Sequence, residues 1–146
     1  MHKILFVCHG NICRSPMGEF IMKDLVEKAG VAHLFEIASA ATSREALGEA
    51  VYYPAQKELL KHGIRCDGKR ARQITPVDID YYDHILYMDS LNRRNLERML
   101  PRWSDKIRPL LSRDVADPWY TGDFSVTWDD ILEGCQNLLK ELGYAE

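Results

Sequence analysis

The stretch ILFVCHGNICRS, residues 4–15, decides how this chain begins to fold. Its first four residues form an apolar run of the kind that is buried in a parallel sheet, and a helical pattern follows its last residue. This order predicts a strand, a tight loop and a helix N-terminus. The backbone N–H groups of such a loop converge on one point, where the helix dipole adds positive potential. The sequence therefore predicts a cradle for a tetrahedral oxyanion.

The two ends of this loop carry a thiol and a guanidinium group, at Cys8 and Arg14. The positive field of the cradle favours a thiolate at Cys8, and the planar fork of Arg14 can bind two phosphoryl oxygens at once. The hydroxyl of Ser15 can hydrogen-bond the sulfur. The cysteine-dependent phosphatases share a signature in which a cysteine is followed by five residues and then by arginine and serine. This spacing predicts phosphoryl transfer to Cys8. A purely structural interpretation, a buried cysteine near a surface arginine and a helix-capping serine, explains less of the strand-loop-helix context.

Length and composition are typical of a small intracellular enzyme. The chain has 146 residues, a formal net charge of −3 and a pI near 6.0, which predicts one domain over residues 1–146 and no nucleic-acid or membrane partner. A strand within the first residues leaves no room for a signal peptide, so we expect a cytoplasmic protein. The four cysteines are too scattered for a disulfide framework. Cys8 and Cys13 lack the two further ligands of a zinc site, so we expect no metal and no cofactor.

Apolar runs and helical patterns alternate along the chain. Strands are predicted at residues 3–7, 35–38, 84–88 and 107–111, and helices between the loop and Gly30 and at residues 53–62, 92–100 and 124–142. This alternation predicts an α/β fold, a single-domain doubly wound sandwich in which a central four-stranded parallel sheet carries helices on both faces. Ligands bind such sheets at the carboxyl ends of the strands, and Cys8 lies at such an end.

The string VCHGNICRSP, residues 7–16, resembles the bacterial-type low-molecular-weight protein tyrosine phosphatases. Further segments similar to the family follow in the expected order and span nearly the whole chain: SAAT at 39–42, KRARQ at 69–73, MD at 88–89, DPWY at 117–120 and GC at 134–135. The resemblance implies hydrolysis of protein phosphotyrosine, with release of inorganic phosphate, through a phosphocysteine formed on Cys8. Arg14 and the loop N–H groups would bind the phosphoryl oxygens. The resemblance extends the substrate and phosphate contacts to His9, Gly10, Asn11, Ile12, Cys13, Ser15, Trp119 and Tyr120.

The reaction also needs an acid that protonates the leaving phenolate. Asp117 precedes a proline and two aromatic residues, and taken alone it fits an aspartate that opens a turn. The family resemblance instead makes Asp117 the general acid and then the base that activates water. Trp119 and Tyr120 would form walls for an aromatic substrate ring, while Tyr52 and Tyr53 either supply the opposite wall or pack at a helix start.

The chain departs from the family pattern at His9, where an aliphatic residue or threonine is common, and at Lys69. Many members carry a histidine at the position of Lys69. In those members the histidine supports the asparagine matched by Asn11 through a hydrogen-bond relay that includes a serine, here matched by Ser39. Lysine donates but cannot accept, so that form of the relay is not expected here. Asn11 is still expected to shape the loop by adopting a left-handed backbone conformation. Cys13 lies near enough in sequence to trap an oxidised Cys8 as a disulfide, or it packs under the loop.

Three further functions remain open on the sequence alone. A phosphoarginine phosphatase would share the fold, but the arginine-selective branch of the family carries a threonine where this chain has Ile12. A thioredoxin-coupled arsenate reductase would need a further closely spaced cysteine pair, which Cys66 and Cys135 do not make. A non-catalytic module that senses phosphate or redox state would have no need for an acid in addition to the nucleophile and the arginine.

The remaining candidates fit structural roles. Cys135 lies on the apolar stripe of the last predicted helix and is expected in the core, whereas Cys66 is expected as a loop thiol. Asp89 is placed to cap a helix, and the family carries an aspartate here that helps to hold the active-site loops. The basic run at residues 69–72 is expected to brace loops by pairing with backbone or carboxylate groups.

Overall fold

A computed structural model describes residues 1–144 and arranges four strands and six α-helices around one parallel sheet. In chain order the elements are β1 (His2–Cys8), α1 (Arg14–Lys28), β2 (Phe35–Ala41), α2 (Tyr53–Lys61), α3 (Pro76–Tyr81), β3 (His84–Tyr87), α4 (Ser90–Met99), β4 (Ile107–Pro109), α5 (Pro118–Thr121) and α6 (Phe124–Glu141). A short 3-10 helix, Ala32–Leu34, precedes β2.

The four strands lie in the order β2-β1-β3-β4, and every pair is parallel. Cys8 pairs with Ala41 and Val7 pairs with Tyr87, so the carboxyl ends of the first three strands meet at one edge. The chain leaves β1 towards β2 on one side and returns to β3 on the other. The end of β1 is therefore the point at which the strand order reverses, which is where open α/β sheets bind ligands.

Residues of β1 alternate between two apolar cores. Ile4 and Phe6 pack with residues of α1, α2 and α6 on one face of the sheet, while Leu5 and Val7 pack with residues of α3 and α4 on the other. All four side chains are fully buried, as the uninterrupted apolar run predicts. The predicted doubly wound α/β sandwich, with helices on both faces of a four-stranded parallel sheet, is confirmed.

Helix α1 lies very close to β1 because Gly18 has no side chain. A Cβ atom built there would approach Cδ1 of the Phe6 ring to 2.7 Å. The helix ends where Gly30 adopts a φ of +73°, a conformation that other residues rarely adopt. Close packing of α1 fixes the position of its first turn, which carries Arg14 and Ser15, relative to the end of β1.

The predicted boundaries lie within one residue of the observed ones for β1, α2, β3 and α6, and they differ by two or three residues for β2, α4 and β4. The strand expected at 107–111 ends at Pro109, α4 begins at Ser90 rather than at residue 92, and β2 continues to Ala41. Helices α3 and α5 and the 3-10 helix are not predicted by the sequence pattern. None of the helices within residues 1–144 is both long enough and apolar enough to cross a membrane.

Candidate active site

Cys8 ends β1 with its sulfur turned into the loop that follows. The Ser15 backbone N–H donates to Cys8 Sγ at 3.3 Å, and Ser15 Oγ lies 3.0 Å from the same sulfur. A neutral thiol can donate to that oxygen, whereas a thiolate accepts from the hydroxyl. Ser15 therefore offers the sulfur two donors, its backbone N–H and its hydroxyl.

Asn11 gives the loop its turn. Its φ is +59°, which makes it the one non-glycine residue with positive φ in the described part of the chain, and the predicted left-handed conformation is confirmed. The amide Nδ2 donates to Ser15 Oγ at 2.8 Å and to Ser39 Oγ at 2.9 Å, while Oδ1 accepts from the Arg72 backbone N–H at 3.1 Å. Three hydrogen bonds therefore fix this buried side chain.

Arg14 begins α1 at the far side of the loop, with only 3% of its side chain exposed. Its guanidinium donates to the Val115 carbonyl at 2.9 Å and contacts carboxylate oxygens of Asp89 at 2.8 Å and Asp117 at 3.4 Å. Burial lowers the pKa of Arg14, but the charges of Cys8, Asp89 and Asp117 outweigh it and raise the pKa above the ordinary value. The guanidinium is therefore a permanent positive charge at the site.

Asp117 enters the same site from the distant loop before α5. Its carboxylate caps the short helix by accepting from the Trp119 backbone N–H at 3.0 Å, and it also faces Arg14. Asp117, Cys8 and Arg14 line one cleft of about 410 Å³. A thiol, an arginine and a carboxyl group around one cavity can attack a phosphoryl group, hold its oxygens and protonate a leaving group.

The other predicted contact residues divide into two sets. Asn11 and Ser15 lie beneath the cleft, with 1% and 0% of their surface exposed, so their side chains shape the loop rather than line the opening. The second set lines the cleft itself and comprises His9, Gly10, Ile12, Cys13, Trp119 and Tyr120. Of these, His9 lies at the rim, where its Nε2 shares a hydrogen bond of 2.9 Å with a carboxylate oxygen of Glu45.

The exposed wall of the cleft is aromatic. Trp119 is 58% exposed and Tyr120 is 85% exposed, and the Tyr52 ring lies 5.0 Å from the ring of Trp119. Tyr53 is instead exposed beside Lys57 at the start of α2. Of the two tyrosines considered for the opposite wall, Tyr52 is the one whose ring contacts Trp119.

The four cysteines are free thiols in three different settings. Burial, followed by the charges of Cys8 and Asp117, raises the pKa of Cys13 to about 12, so Cys13 is a neutral thiol at neutral pH. Cys135 is fully buried in the core, as expected, and burial raises its pKa. Cys66 lies in a loop, as expected, but it is buried there as well.

The structural roles expected for Asp89 and the basic run are confirmed. Asp89 caps α4 through the Asn92 backbone N–H at 2.8 Å, in addition to its contact with Arg14. Lys69 donates to the Ser39 carbonyl, and Arg72 pairs with the carboxylate of Asp78. The sequence interpretation missed one buried group near the site: Glu19 of α1 has a carboxylate that accepts from Ser39 Oγ at 2.6 Å.

The fold and the site together define the class of protein: an α/β phosphatase of the cysteine-dependent kind, with its nucleophile candidate at the end of the central strand. Comparison with known proteins narrows this class. The family model for the low molecular weight phosphotyrosine protein phosphatases matches residues 3–145. The chain therefore belongs to this family, and the predicted family and enzyme class are confirmed.

Individual relatives cover almost the entire chain. The low molecular weight protein-tyrosine-phosphatase YfkJ of Bacillus subtilis is 37% identical over 97% of this chain and 96% of its own length, and its crystal structure matches with a TM-score of 0.93. SP-PTP of Streptococcus pyogenes has 41% identity and a TM-score of 0.90 over 97% of this chain and 93% of that one. DARP, a Drosophila arginine phosphatase, has 30% identity and a TM-score of 0.87 over 99% of both chains.

Proposed function

We propose that the chain hydrolyses phosphotyrosine in proteins by using Cys8 as nucleophile, Arg14 as phosphate ligand and Asp117 as general acid and base. The observation that carries this proposal is the single cleft that Cys8, Arg14 and Asp117 line together. The proposed catalytic unit is one domain that spans residues 1–146.

The proposed reaction has two steps. The Cys8 thiolate attacks phosphorus, a sulfur–phosphorus bond forms, and the phosphorus–oxygen bond to tyrosine breaks as Asp117 gives its proton to the leaving phenolate. Arg14 and the loop N–H groups stabilise the charge on the three equatorial oxygens. Asp117, now ionised, takes a proton from water as that water attacks the phosphocysteine, which releases inorganic phosphate and restores the thiolate.

The aromatic residues at the cleft mouth support the choice of substrate. Trp119 and Tyr120 present apolar rings at the opening, and Ile12 lines the same cleft. A phenyl ring that enters between such groups buries apolar surface, which a phosphoserine side chain is too short and too polar to do. A thiolate nucleophile functions in a reducing compartment, so we propose that the protein acts on phosphotyrosine proteins in the cytoplasm.

The nucleophile is tested by Cys8→Ser. An alcohol at this position is not appreciably ionised, so we expect turnover of a phosphotyrosine peptide to fall by at least about 1,000-fold. Phosphate binding should persist, because the N–H groups and Arg14 remain. Steady-state rates in the presence of a chelator, together with thermal shifts on addition of phosphate, measure the two properties. Turnover within tenfold of the unmodified protein would contradict the covalent mechanism.

A phosphoarginine phosphatase is the second candidate, because the Drosophila arginine phosphatase shares the fold over nearly the whole chain. Ile12 lines the cleft here and gives a guanidinium group nothing to hydrogen-bond. We expect Ile12→Thr to raise the rate on a phosphoarginine peptide about fivefold relative to phosphotyrosine, since one added polar contact contributes about 1 kcal/mol. An unchanged ratio of the two rates would place the selectivity elsewhere in the cleft.

Arsenate reduction and phosphate sensing have less support than phosphatase activity. Cys135 is fully buried in the core and Cys66 lies in a separate buried loop, so the two thiols form no relay for an arsenate reductase. A non-catalytic phosphate sensor does not need the carboxyl group of Asp117 opposite the thiol. Membership of an enzyme family favours turnover over sensing.

A further inference from the structure

One face of α4 continues outward from the mouth of the cleft. The helix buries Leu96 and Leu100 in the core on one side of the sheet. Leu91 lies on the outer side of the helix, where it is half-exposed and lines the cleft. Residues three and seven positions further along a helix lie on the same side, and here they are Arg94 and Arg98, which are both exposed. The cleft therefore continues into a surface with two arginines, the arginine face of α4.

The two arginines are available to a ligand, whereas their neighbour Arg93 is not. The Arg93 guanidinium donates to Glu97 at 3.1 Å and lies 5.1 Å from the centre of the Trp103 ring. Among residues 1–144, no carboxylate lies within ion-pairing distance of Arg94 or Arg98. An arginine stays protonated at every physiological pH. Two permanent positive charges are therefore left to solvent beside the cleft.

The opposite side of the cleft mouth is acidic. Strands β2 and β3 flank β1, so the segment that follows β2 and the helix that follows β3 lie on opposite sides of the end of β1. The segment after β2 contributes the exposed residues Glu45 and Glu49 to the cleft lining. The other two carboxylates of the lining, Asp89 and Asp117, are paired with Arg14. An acidic group at the mouth is therefore repelled on one side and attracted by the arginine face on the other.

The spacing of the arginines matches an extended peptide. A helix rises about 1.5 Å per residue, so the Cα atoms of Arg94 and Arg98 lie about 5 Å and about 10 Å beyond Leu91 along the axis. An extended peptide advances about 3.3 Å per residue. When a phosphotyrosine occupies the cleft, acidic residues two to four positions away are within reach of the two guanidinium groups. A guanidinium can bind both oxygens of such a carboxylate at once.

We propose that the arginine face of α4 is a substrate-docking surface that selects phosphotyrosine proteins with acidic residues on one side of the phosphotyrosine. This inference rests on the proposed function, because it names the substrate class for the same cleft. Arg94 and Arg98 do not contact the reacting phosphoryl group, so their contacts with the substrate are the same before and during the reaction. Such uniform binding lowers KM and leaves kcat unchanged.

Four phosphotyrosine peptides test the substrate preference. Three glutamates follow the phosphotyrosine in one peptide and precede it in another, two to four positions away, and two matched peptides carry glutamine instead. We expect one glutamate peptide to exceed its glutamine counterpart about fivefold in kcat/KM at low ionic strength, through KM, because two exposed ion pairs form. The advantage should vanish in about 0.5 M salt, which screens exposed charges. Equal rates on all four peptides would overturn the proposal.

Arg94→Ala combined with Arg98→Ala removes the arginine face. Alanine has the highest helix propensity and both positions are exposed, so α4 should be retained. We expect the glutamate advantage to disappear, with unchanged rates on the glutamine peptides. The rate on phenyl phosphate should also be unchanged, because this small substrate does not extend beyond the cleft. A glutamate advantage that persisted in this variant would overturn the proposal.

The matched control is Lys28→Ala combined with Arg65→Ala. It removes the same net charge from exposed side chains at the end of α1 and in the loop after α2, and neither residue lines the cleft. The control should keep the full advantage of the glutamate peptide. An equal loss in both double variants would mean that only the total charge of the protein matters, which would also contradict the docking role.

Two other results have readouts of their own. Vesicles that contain phosphatidylserine test a lipid surface as the ligand of the arginine face. Vesicle binding that is lost in the double arginine variant, without any preference among the peptides, would overturn the proposal. Failure of the proposed function looks different, because the glutamine peptides would then not be hydrolysed at all. Failure of the docking inference alone leaves their hydrolysis intact.

Discussion

The phosphate cradle, residues 8–15, and the acid loop, residues 114–122, contribute to the same cleft but are built in opposite ways. In the cradle Asn11, Arg14 and Ser15 are buried, and each makes several hydrogen bonds with defined partners. In the acid loop Trp119 and Tyr120 are largely exposed on a helix of only four residues. The cradle therefore has its anion-binding groups fixed, whereas the acid loop is held at Val115 and Pro118 but carries two exposed rings that can adapt to the group attached to the anion.

The largest effect is expected from damage to the cradle. Arg14→Lys keeps the positive charge but removes the planar fork, and a point charge cannot hold two phosphoryl oxygens together. We expect kcat/KM to fall by about 100- to 1,000-fold, the usual loss when one preorganised donor is removed from a transition state. Because every substrate presents the same phosphoryl group, the loss should be the same for aryl phosphates with good and with poor leaving groups.

Steady-state kinetics on a series of aryl phosphates measure this loss. Arg113→Lys serves as the control, since Arg113 is half-exposed and pairs with Asp130 and Glu133 of α6. The control should retain full activity. If the loss in Arg14→Lys grew as the leaving group became poorer, the division of labour between the cradle and the acid loop would be wrong.

Damage to the acid loop should depend on the substrate. Asp117→Asn cannot supply a proton, so we expect the rate on an aryl phosphate with a weakly acidic phenol to fall by about 100-fold. A substrate whose phenol is already acidic needs no protonation and should lose less than about tenfold. The measurement is the slope of log kcat/KM against phenol pKa, which reports the first step alone and should steepen in the variant, because the loss of the base in the second step is the same for every substrate.

Asp114→Asn is the matched change in the same loop. Asp114 accepts hydrogen bonds from the backbone N–H and the hydroxyl of Ser90, so its carboxylate is already engaged at the start of α4. We expect a leaving-group slope like that of the unmodified protein. Equal losses on all substrates in Asp117→Asn, with a steeper slope in Asp114→Asn, would transfer the acid role to Asp114.

The smallest effect on turnover is expected at Cys13, which lies in the cradle and is a neutral thiol at neutral pH. Cys13→Ser should keep activity within about fivefold, because a neutral thiol contributes little to anion binding. Its effect should appear after peroxide treatment. Peroxide converts the Cys8 thiolate to a sulfenic acid, and attack by Cys13 forms a disulfide with loss of water.

Recovery of activity with a thiol reductant measures this protection. The unmodified protein should recover and show a Cys8–Cys13 link by mass spectrometry, whereas Cys13→Ser should recover poorly. Cys66→Ser controls for the loss of a buried thiol elsewhere. Full recovery of Cys13→Ser would leave Cys13 with a packing role alone and would make the cradle a purely phosphate-binding device.

The cradle could be predicted from the sequence because it is local. A strand, a five-residue interval and a helix start are all readable within residues 4–15, and Asn11 is a residue type that tolerates positive φ. The short helices were missed because four to six residues carry too little periodicity. Helix α3 did have a readable signal, since Thr75, Pro76 and Asp78 form a capping box with proline at the first helical position.

The rest of the site depends on contacts between residues far apart in the chain. The approach of Asp117 to Arg14 comes from the order of the strands, which no local pattern contains. Glu19 was missed although it lies four positions after Ser15, on the same face of α1. That spacing places a carboxylate beside the loop, but its hydrogen-bond partner Ser39 belongs to the next strand, β2.

The contact between Arg14 and the Val115 carbonyl also bears on how the protein is made. The two residues are 101 positions apart, so the arginine is synthesised long before the group that holds it. A nascent chain that has reached only β3 already contains the thiol and the guanidinium, but neither Val115 nor Asp117. Chains fold as they are synthesised from the N-terminus. The site is therefore complete only when translation is nearly finished, and we expect a ribosome-bound fragment that ends at β3 to be inactive.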